Sequence, residues 1–152
     1  MPDETAAEIA QTFLDVLWAD TPPSDAQLAA ALDRLLAASH DVLPDDGADG
    51  DVTPPQDEWS NLYKQIGVRF PDYGYYSVAN PLTLGDASVT VGDAIDDLAD
   101  LTQDLQQVVW RGQHVGASEA AWYFRLMYEA HWGRHARELA LFLHARLTLG
   151  DD

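Results

Sequence analysis

The stretch from Ala120 to Leu149, AAWYFRLMYEAHWGRHARELALFLHARLTL, decides the fold because it is long, apolar and rich in aromatic residues. Drawn as a helix, it is apolar on most of its sides, which is typical of a helix surrounded by other helices. It therefore predicts a long central C-terminal helix. Gly133 interrupts this stretch at a cost of about 1 kcal/mol relative to alanine. We expect it to admit a bulky side chain, such as a tryptophan from another helix.

Hydrophobic residues recur at helical spacing in four earlier segments, which predicts four more helices. These segments are approximately residues 3–18, 24–38, 53–70 and 91–111. Side chains of Asp3, Ser24, Thr90 and Ser118 are expected to cap helix starts, and Gly112 is expected to end the fourth helix. Val89–Val91 is too short to predict a strand. The sequence therefore predicts an all-α, single-domain antiparallel bundle of about five helices over residues 1–152.

Two connections between the predicted helices are unusual. Residues 39–52 are rich in Asp and Gly and have no hydrophobic period, which predicts a mobile acidic loop. Residues 71–90 form a long aromatic connection that contains Tyr73, Tyr75 and Tyr76. Connections of this length inside one domain are often functional. The aromatic side chains are also expected to hold this connection against the bundle.

The chain has 26 acidic and 8 basic residues and a net charge of −18. This charge argues against nucleic-acid binding and against binding to anionic membrane surfaces, since both require clustered Lys and Arg. The absence of cysteine excludes disulfides and thiol-based metal sites. The N-terminus resembles no secretion signal, so we expect a cytoplasmic protein.

His131 and His135 have the four-residue spacing of a two-histidine metal pair, because residues four apart share one side of a helix. Glu138 follows three residues later on the same stripe. These residues predict a site for Zn²⁺, Fe²⁺ or Mn²⁺. The alternative is a structural network in which the histidines pair with Glu138 or Tyr128.

The fourth predicted helix carries a row of aspartates: Asp93, Asp97, Asp100 and Asp104. Carboxylates at this spacing can bind Mg²⁺ or Mn²⁺. However, the leucines of this helix lie roughly opposite the row at 100° per residue. If the leucines face the core, the aspartates face solvent. Asp96 lies nearer the boundary and is expected to be able to reach a neighbouring helix.

Two motifs together, DDLAD at residues 96–100 and EAHWGRH at residues 129–135, resemble an uncharacterised bacterial family of small all-α proteins. The resemblance covers residues 70–144, whereas residues 1–69 are similar only in helical character. It implies that the two motif helices belong together. The resemblance implies no activity and no catalytic residue.

The leading hypothesis is a non-enzymatic binding or interaction module, because no catalytic constellation is complete and no catalytic residue is assigned. Its partner is an unidentified protein or small molecule, and a divalent metal is the only cofactor that the residues suggest. A metal-dependent hydrolase using His131, His135 and Glu138, with help from Asp96, is the alternative. An acidic mimic that occupies a basic partner is a third hypothesis. The predicted surface consists of His131, His135, Glu138, Tyr128, Trp132, Arg134, Asp96, Tyr75 and Tyr76.

Overall fold

The computed structural model describes residues 4–47, 54–55, 58–85 and 89–150. These residues form five helices, the last of them long, and one β-hairpin, which confirms the predicted all-α class. The elements are α1 (Ala6–Leu17), α2 (Asp25–Ser39), α3 (Trp59–Arg69), β1 (Tyr75–Ala79), β2 (Val89–Asp93), α4 (Ala94–His114), and then α5 (Ala117–Met127), a π-helical turn (Tyr128–Trp132) and α6 (Gly133–Leu149). The last three follow one another without a break and make up the long C-terminal helix.

The first two helices begin at capping boxes, in which two residues three apart each accept, through their side chains, a hydrogen bond from the backbone N–H of the other. Ser24 and Gln27 form the box of α2, as the sequence predicts for Ser24. Thr5 and Glu8 form the box of α1, and the predicted cap Asp3 lies outside the described residues. Helix α3 begins at Trp59, later than predicted, and the acidic loop at 39–52 is only partly described, so its mobility stays a prediction.

Helix α4 contacts α1, α3, α5 and α6, so it has neighbouring helices on most of its sides. The long C-terminal helix that the sequence predicts is present, and it contacts α1, α2 and α4. Leu98, Leu101 and Leu105 of α4 are fully buried in the shared core. Helix α4 continues past Gly112, contrary to the prediction that this glycine ends it. Gly112 lies against Ala7 of α1 instead. A Cβ at residue 112 would lie 2.8 Å from the Cβ of Ala7.

The aromatic connection contains an antiparallel pair of strands, which corrects the expectation that Val89–Val91 is too short to form a strand. Strand β1 pairs with β2 in a register that sets Tyr76 opposite Gly92 and Val78 opposite Thr90. Asp93 ends β2 and caps α4, so Thr90 is not the cap that the sequence predicts. Each strand has only five residues, which is too short for a clear strand pattern in the sequence. Pairing between the two strands stabilises both of them.

A π-helical turn interrupts the C-terminal helix at Tyr128–Trp132. It forms because the backbone N–H of Gly133 donates to the carbonyl of Tyr128, five residues earlier. A Cβ on residue 133 would lie 2.4 Å from that carbonyl oxygen and 2.7 Å from the Tyr128 ring. Gly133 therefore leaves space for Tyr128 of its own helix, whereas a tryptophan from another helix was expected there. Turns of this kind often occur at functional sites.

Helices that combine the length and the apolar character needed to cross a membrane are absent from the described part of the chain.

Candidate functional site: two histidines and three aspartates

The two histidines of the C-terminal helix lie side by side and face α4. His131 belongs to the π-helical turn and His135 to the first turn of α6. Their ring centroids are 4.8 Å apart and the ring planes meet at 81°. The one-turn spacing that the sequence indicates thus places both imidazoles in one small region, between the C-terminal helix and α4.

Each histidine is held by its own buried aspartate from α4. The Nδ1 atom of His131 lies 2.6 Å from Oδ2 of Asp104, and Nδ1 of His135 lies 2.7 Å from Oδ1 of Asp97. Asp97 and Asp104 are only 2% and 4% exposed. The expectation that the aspartate row faces solvent is therefore wrong for these two residues. Helix α4 is packed on both sides, with its leucines in the core and Asp97 and Asp104 against the C-terminal helix.

Asp100 lies between the two histidines, on the side away from the Nδ1 atoms. Its Oδ2 is 3.5 Å from Nε2 of His131 and 3.6 Å from Nε2 of His135. Its other oxygen, Oδ1, accepts a hydrogen bond of 3.0 Å from the indole Nε1 of Trp59 on α3. The Trp59 bond therefore orients Asp100 so that Oδ2 faces both imidazoles.

The three facing atoms fit the coordination shell of a transition-metal ion. Among the described residues, Asp100, His131 and His135 form a group whose ligand atoms lie within 4.8 Å of one another. In tetrahedral zinc sites, bonds of about 2.0–2.2 Å separate neighbouring ligand atoms by about 3.3–3.6 Å. The separations of 3.5 and 3.6 Å to Asp100 match this range. A carboxylate on the far nitrogen of each ligating histidine is also the usual support in such sites.

Burial and neighbouring charges shift several pKa values in this region. The hydrogen bond to Asp97 raises the pKa of His135, against the opposing effect of burial. Burial raises the pKa of Asp104, although its bond to His131 acts in the other direction. Burial also raises the pKa of Asp96, and the nearby carboxylate of Asp100 adds to this effect. A bound divalent cation would reduce the repulsion among these carboxylates.

Tyr76 of the β-hairpin extends the network. Its hydroxyl donates a short hydrogen bond to Oδ2 of Asp97, the aspartate that holds His135. Its ring stacks on Phe142 of α6 with centroids 4.9 Å apart. Tyr76 thus connects the hairpin both to the histidine site and to the C-terminal helix.

Glu138, the predicted third ligand, lies outside the group formed by Asp100, His131 and His135. Its carboxylate instead accepts a hydrogen bond of 2.6 Å from Arg134 on the exposed face of α6. The structural alternative predicted that the histidines pair with Glu138 or Tyr128. Their described partners are aspartates of α4 instead. Asp96 is half-buried near the site but contributes no atom to the group.

The other predicted surface residues are in different environments. Trp132 is fully buried against Phe124 and Tyr128, so it belongs to the core and is not available to a partner. The Tyr128 hydroxyl accepts a hydrogen bond of 2.7 Å from Arg137. Tyr75 is 75% exposed on the outer face of the hairpin, opposite to its neighbour Tyr76.

Sequence reasoning missed Asp97, Asp100 and Asp104 as partners of the histidines. A signal for them was available. Asp97, Asp100 and Asp104 recur at intervals of three and four residues, as His131 and His135 do, so two facing helices can bring the two rows together. This pairing was not considered because only the leucine side of α4 was assumed to pack against other helices.

Comparisons with known proteins support the fold and the family. The structure resembles the crystal structure of protein BF1032 from Bacteroides fragilis, a structural-genomics target, with a TM-score of 0.65 and 13% identity over 97% of this chain and 89% of that chain. At this identity the likeness concerns the fold alone. No curated protein matches the chain. The family described as domain of unknown function DUF5063 matches residues 23–148, beginning well before the region of resemblance at 70–144. The chain therefore belongs to the DUF5063 family, whose function is unknown.

Proposed function

We propose that this protein binds one divalent transition-metal ion through Nε2 of His131, Nε2 of His135 and Oδ2 of Asp100. One observation carries the proposal. Both Nδ1 atoms are bonded to buried carboxylates, which leaves both Nε2 atoms facing the same oxygen at 3.5 and 3.6 Å. Nitrogen ligands favour zinc, iron, cobalt or nickel over magnesium and calcium, which prefer oxygen ligands.

The proposed site has three protein ligands, which leaves at least one coordination position for water or an external ligand. Structural zinc sites usually have four protein ligands, whereas sites that bind a further molecule keep a position open. The side chains of His131 and His135 are 36% and 26% exposed, so solvent reaches the site. The site is therefore suited to binding an exchangeable ligand at the metal.

Hydrolysis at the metal is the second candidate function, and the solvent access of the two histidines favours it. A bound metal lowers the pKa of a coordinated water to about 7, which yields a nucleophile at neutral pH. The zinc-loaded protein would then hydrolyse p-nitrophenyl phosphate or p-nitrophenyl acetate. The expected activity is lost in His135→Gln and retained in His144→Gln. An activity that is equal in the two variants would contradict this candidate.

Calorimetric titration of tag-free, metal-free protein with Zn²⁺ tests the metal proposal. We expect one ion per chain and no comparable heat with Mg²⁺. His131→Gln, His135→Gln and Asp100→Asn should each weaken zinc binding by at least about tenfold. His144→Gln is the matched control, because His144 is an exposed histidine of the same helix. Absence of zinc binding, or equal losses in the control, would support a purely structural histidine–aspartate network.

Of the two tyrosines in the interaction surface predicted from the sequence, Tyr75 is exposed, whereas Tyr76 is bonded to Asp97 and stacked on Phe142. A pull-down that compares wild-type protein with Tyr75→Ala tests this surface, and identical partner profiles would count against it. Salt-sensitive association with basic proteins would support the acidic-mimic hypothesis. The cytoplasmic location and the lack of nucleic-acid binding stay predictions from composition.

A further inference from the structure

A groove of about 910 Å³ lies between the hairpin and the exposed face of α6, and the metal proposal does not use it. Val78 and Leu82 line one side, and Leu141 and Phe142 line the other. Sites for small molecules typically have volumes of about 300–1,000 Å³ and are largely apolar with a few polar groups. The size and the lining of this groove both fall within that description.

The end of the groove nearest the π-helical turn carries charges of both signs, because Glu129 and Glu138 line it beside two arginines. Arg134 and Arg137 line it together with Tyr128. Arg134 is paired with Glu138, whereas the described contacts of Arg137 include no carboxylate. Arg137 instead donates to the Tyr128 hydroxyl at 2.7 Å, and this bond is the main reason why the pKa of Tyr128 is lowered. Glu129 is paired with Arg125, so Arg137 is the charged lining residue whose described contacts leave it free to meet an anion.

The other end of the groove is apolar and only partly covered. Leu141 is 68% exposed and Leu82 is 92% exposed, although both line the groove. Along α6 the lining runs from Gly133 to Ala145, and twelve residues of helix span about 18 Å. Charge and hydrophobic surface are therefore separated along the length of the groove. Exposed apolar surface of this kind marks a binding site.

We propose that this groove binds a linear hydrocarbon chain that carries one terminal anionic group. The anionic group contacts Arg137, and the hydrocarbon chain lies between Leu141 and Val78. We choose an anion because it complements the positive charge of Arg137. We choose an extended amphiphile because the polar and apolar ends of the groove are separated. This site is distinct from the proposed metal site and does not depend on metal binding.

Calorimetric titration with dodecanoate below its micellar concentration tests the proposal, with dodecyl phosphate as a second head group and dodecyltrimethylammonium as the cationic counterpart. We expect one dodecanoate per chain and binding at least tenfold weaker for the cation. Tighter binding of either dodecanoate or dodecyl phosphate supports the anionic class and identifies the preferred head group. Equal binding of the anions and the cation would overturn the proposal.

Substitutions on the exposed face of α6 locate the bound ligand. Leu141→Glu should weaken dodecanoate binding at least tenfold, and Arg137→Gln should weaken it several-fold. Leu149→Glu and Lys64→Gln are the matched controls, because both residues are exposed and lie outside the groove. His135→Gln should bind dodecanoate normally, which separates this test from that of the metal site. Equal losses in the variants and in their controls would overturn the proposal. So would a dimer of the wild-type chain that excludes dodecanoate and dissociates on Leu141→Glu.

Discussion

Oδ1 of Asp97 lies 2.7 Å from Nδ1 of His135, across the contact between α4 and α6. The other oxygen of the same carboxylate accepts a hydrogen bond from Tyr76 of the hairpin. One buried aspartate thus connects α4, α6 and β1. A buried carboxylate is costly unless both oxygens are satisfied, and here the two partners come from different parts of the chain. The orientation of His135 therefore depends on the packing of the hairpin as well as on its own helix.

The supporting aspartates should control metal affinity although neither contacts the proposed metal position. Asp97→Asn or Asp104→Asn should weaken zinc binding by about 10–100-fold, because each carboxylate orients one imidazole and increases its basicity. Calorimetry on tag-free protein measures the change. Asp96→Asn is the matched control, since Asp96 is a neighbouring acid that contributes no atom to the cluster. A loss in Asp96→Asn as large as in Asp97→Asn would argue for a general charge effect.

Removal of the Tyr76 hydroxyl should destabilise the protein even without metal. Tyr76→Phe keeps the ring stacked on Phe142 but deprives the buried Asp97 of one hydrogen bond. Hydrogen bonds to charged groups contribute about 1.5–3 kcal/mol, so we expect a loss of that order in the free energy of unfolding. Urea denaturation measures it. Tyr75→Phe, on the exposed face of the same strand, should change stability little, and an equal loss there would refute the assigned role of Tyr76.

Alanine should have opposite effects at two helical glycines. Gly133→Ala places a Cβ 2.4 Å from the Tyr128 carbonyl oxygen, so we expect a destabilisation of about 1–3 kcal/mol. Zinc affinity should fall as well, because His131 lies in the π-helical turn that Gly133 permits. Gly67→Ala in α3 meets its nearest atom at 3.9 Å and should stabilise by up to about 1 kcal/mol. Thermal unfolding of both variants compares them. A stabilising Gly133→Ala would contradict the role given to the π-helical turn.

Tyr63 should titrate late and make stability depend on alkaline pH. Its hydroxyl donates to Asp93 at 2.7 Å, and this bond is the main cause that raises the pKa of Tyr63 to about 12. Because the folded pKa lies above the usual value, its contribution to stability is complete below about pH 10 and is lost as the pH rises through about 12. The stability advantage over Tyr63→Phe should therefore disappear across that range. An advantage that persists above pH 12 would contradict this assignment.

The sequence predicted those helices whose signals are local. Ser24 caps α2 as expected, because the cap and its partner are only three residues apart. Asp93 was missed as the cap of α4 because the strand before it is stabilised by pairing with a distant segment. The π-helical turn was missed for a related reason. A glycine inside a helix indicates a close approach, but it does not identify Tyr128 as the group that approaches.

The candidate site was half predictable. The spacing of His131 and His135 indicated that the two imidazoles lie together, and they do. Glu138 was chosen as their partner because it shares their helix, whereas Asp100 comes from α4. The choice between them depends on which face of α4 packs against the C-terminal helix. That information resides in tertiary packing and not in the periodicity of either helix.

Anomalous X-ray diffraction at the zinc absorption edge, on crystals of the zinc-loaded protein, tests the central claim most directly. We predict one strong peak per chain, at about 2.0–2.2 Å from Nε2 of His131, Nε2 of His135 and Oδ2 of Asp100. The same crystals of His135→Gln should show no peak at this position. A wild-type protein without a peak there, or with zinc only at exposed histidines such as His114 and His144, would contradict the proposed metal site.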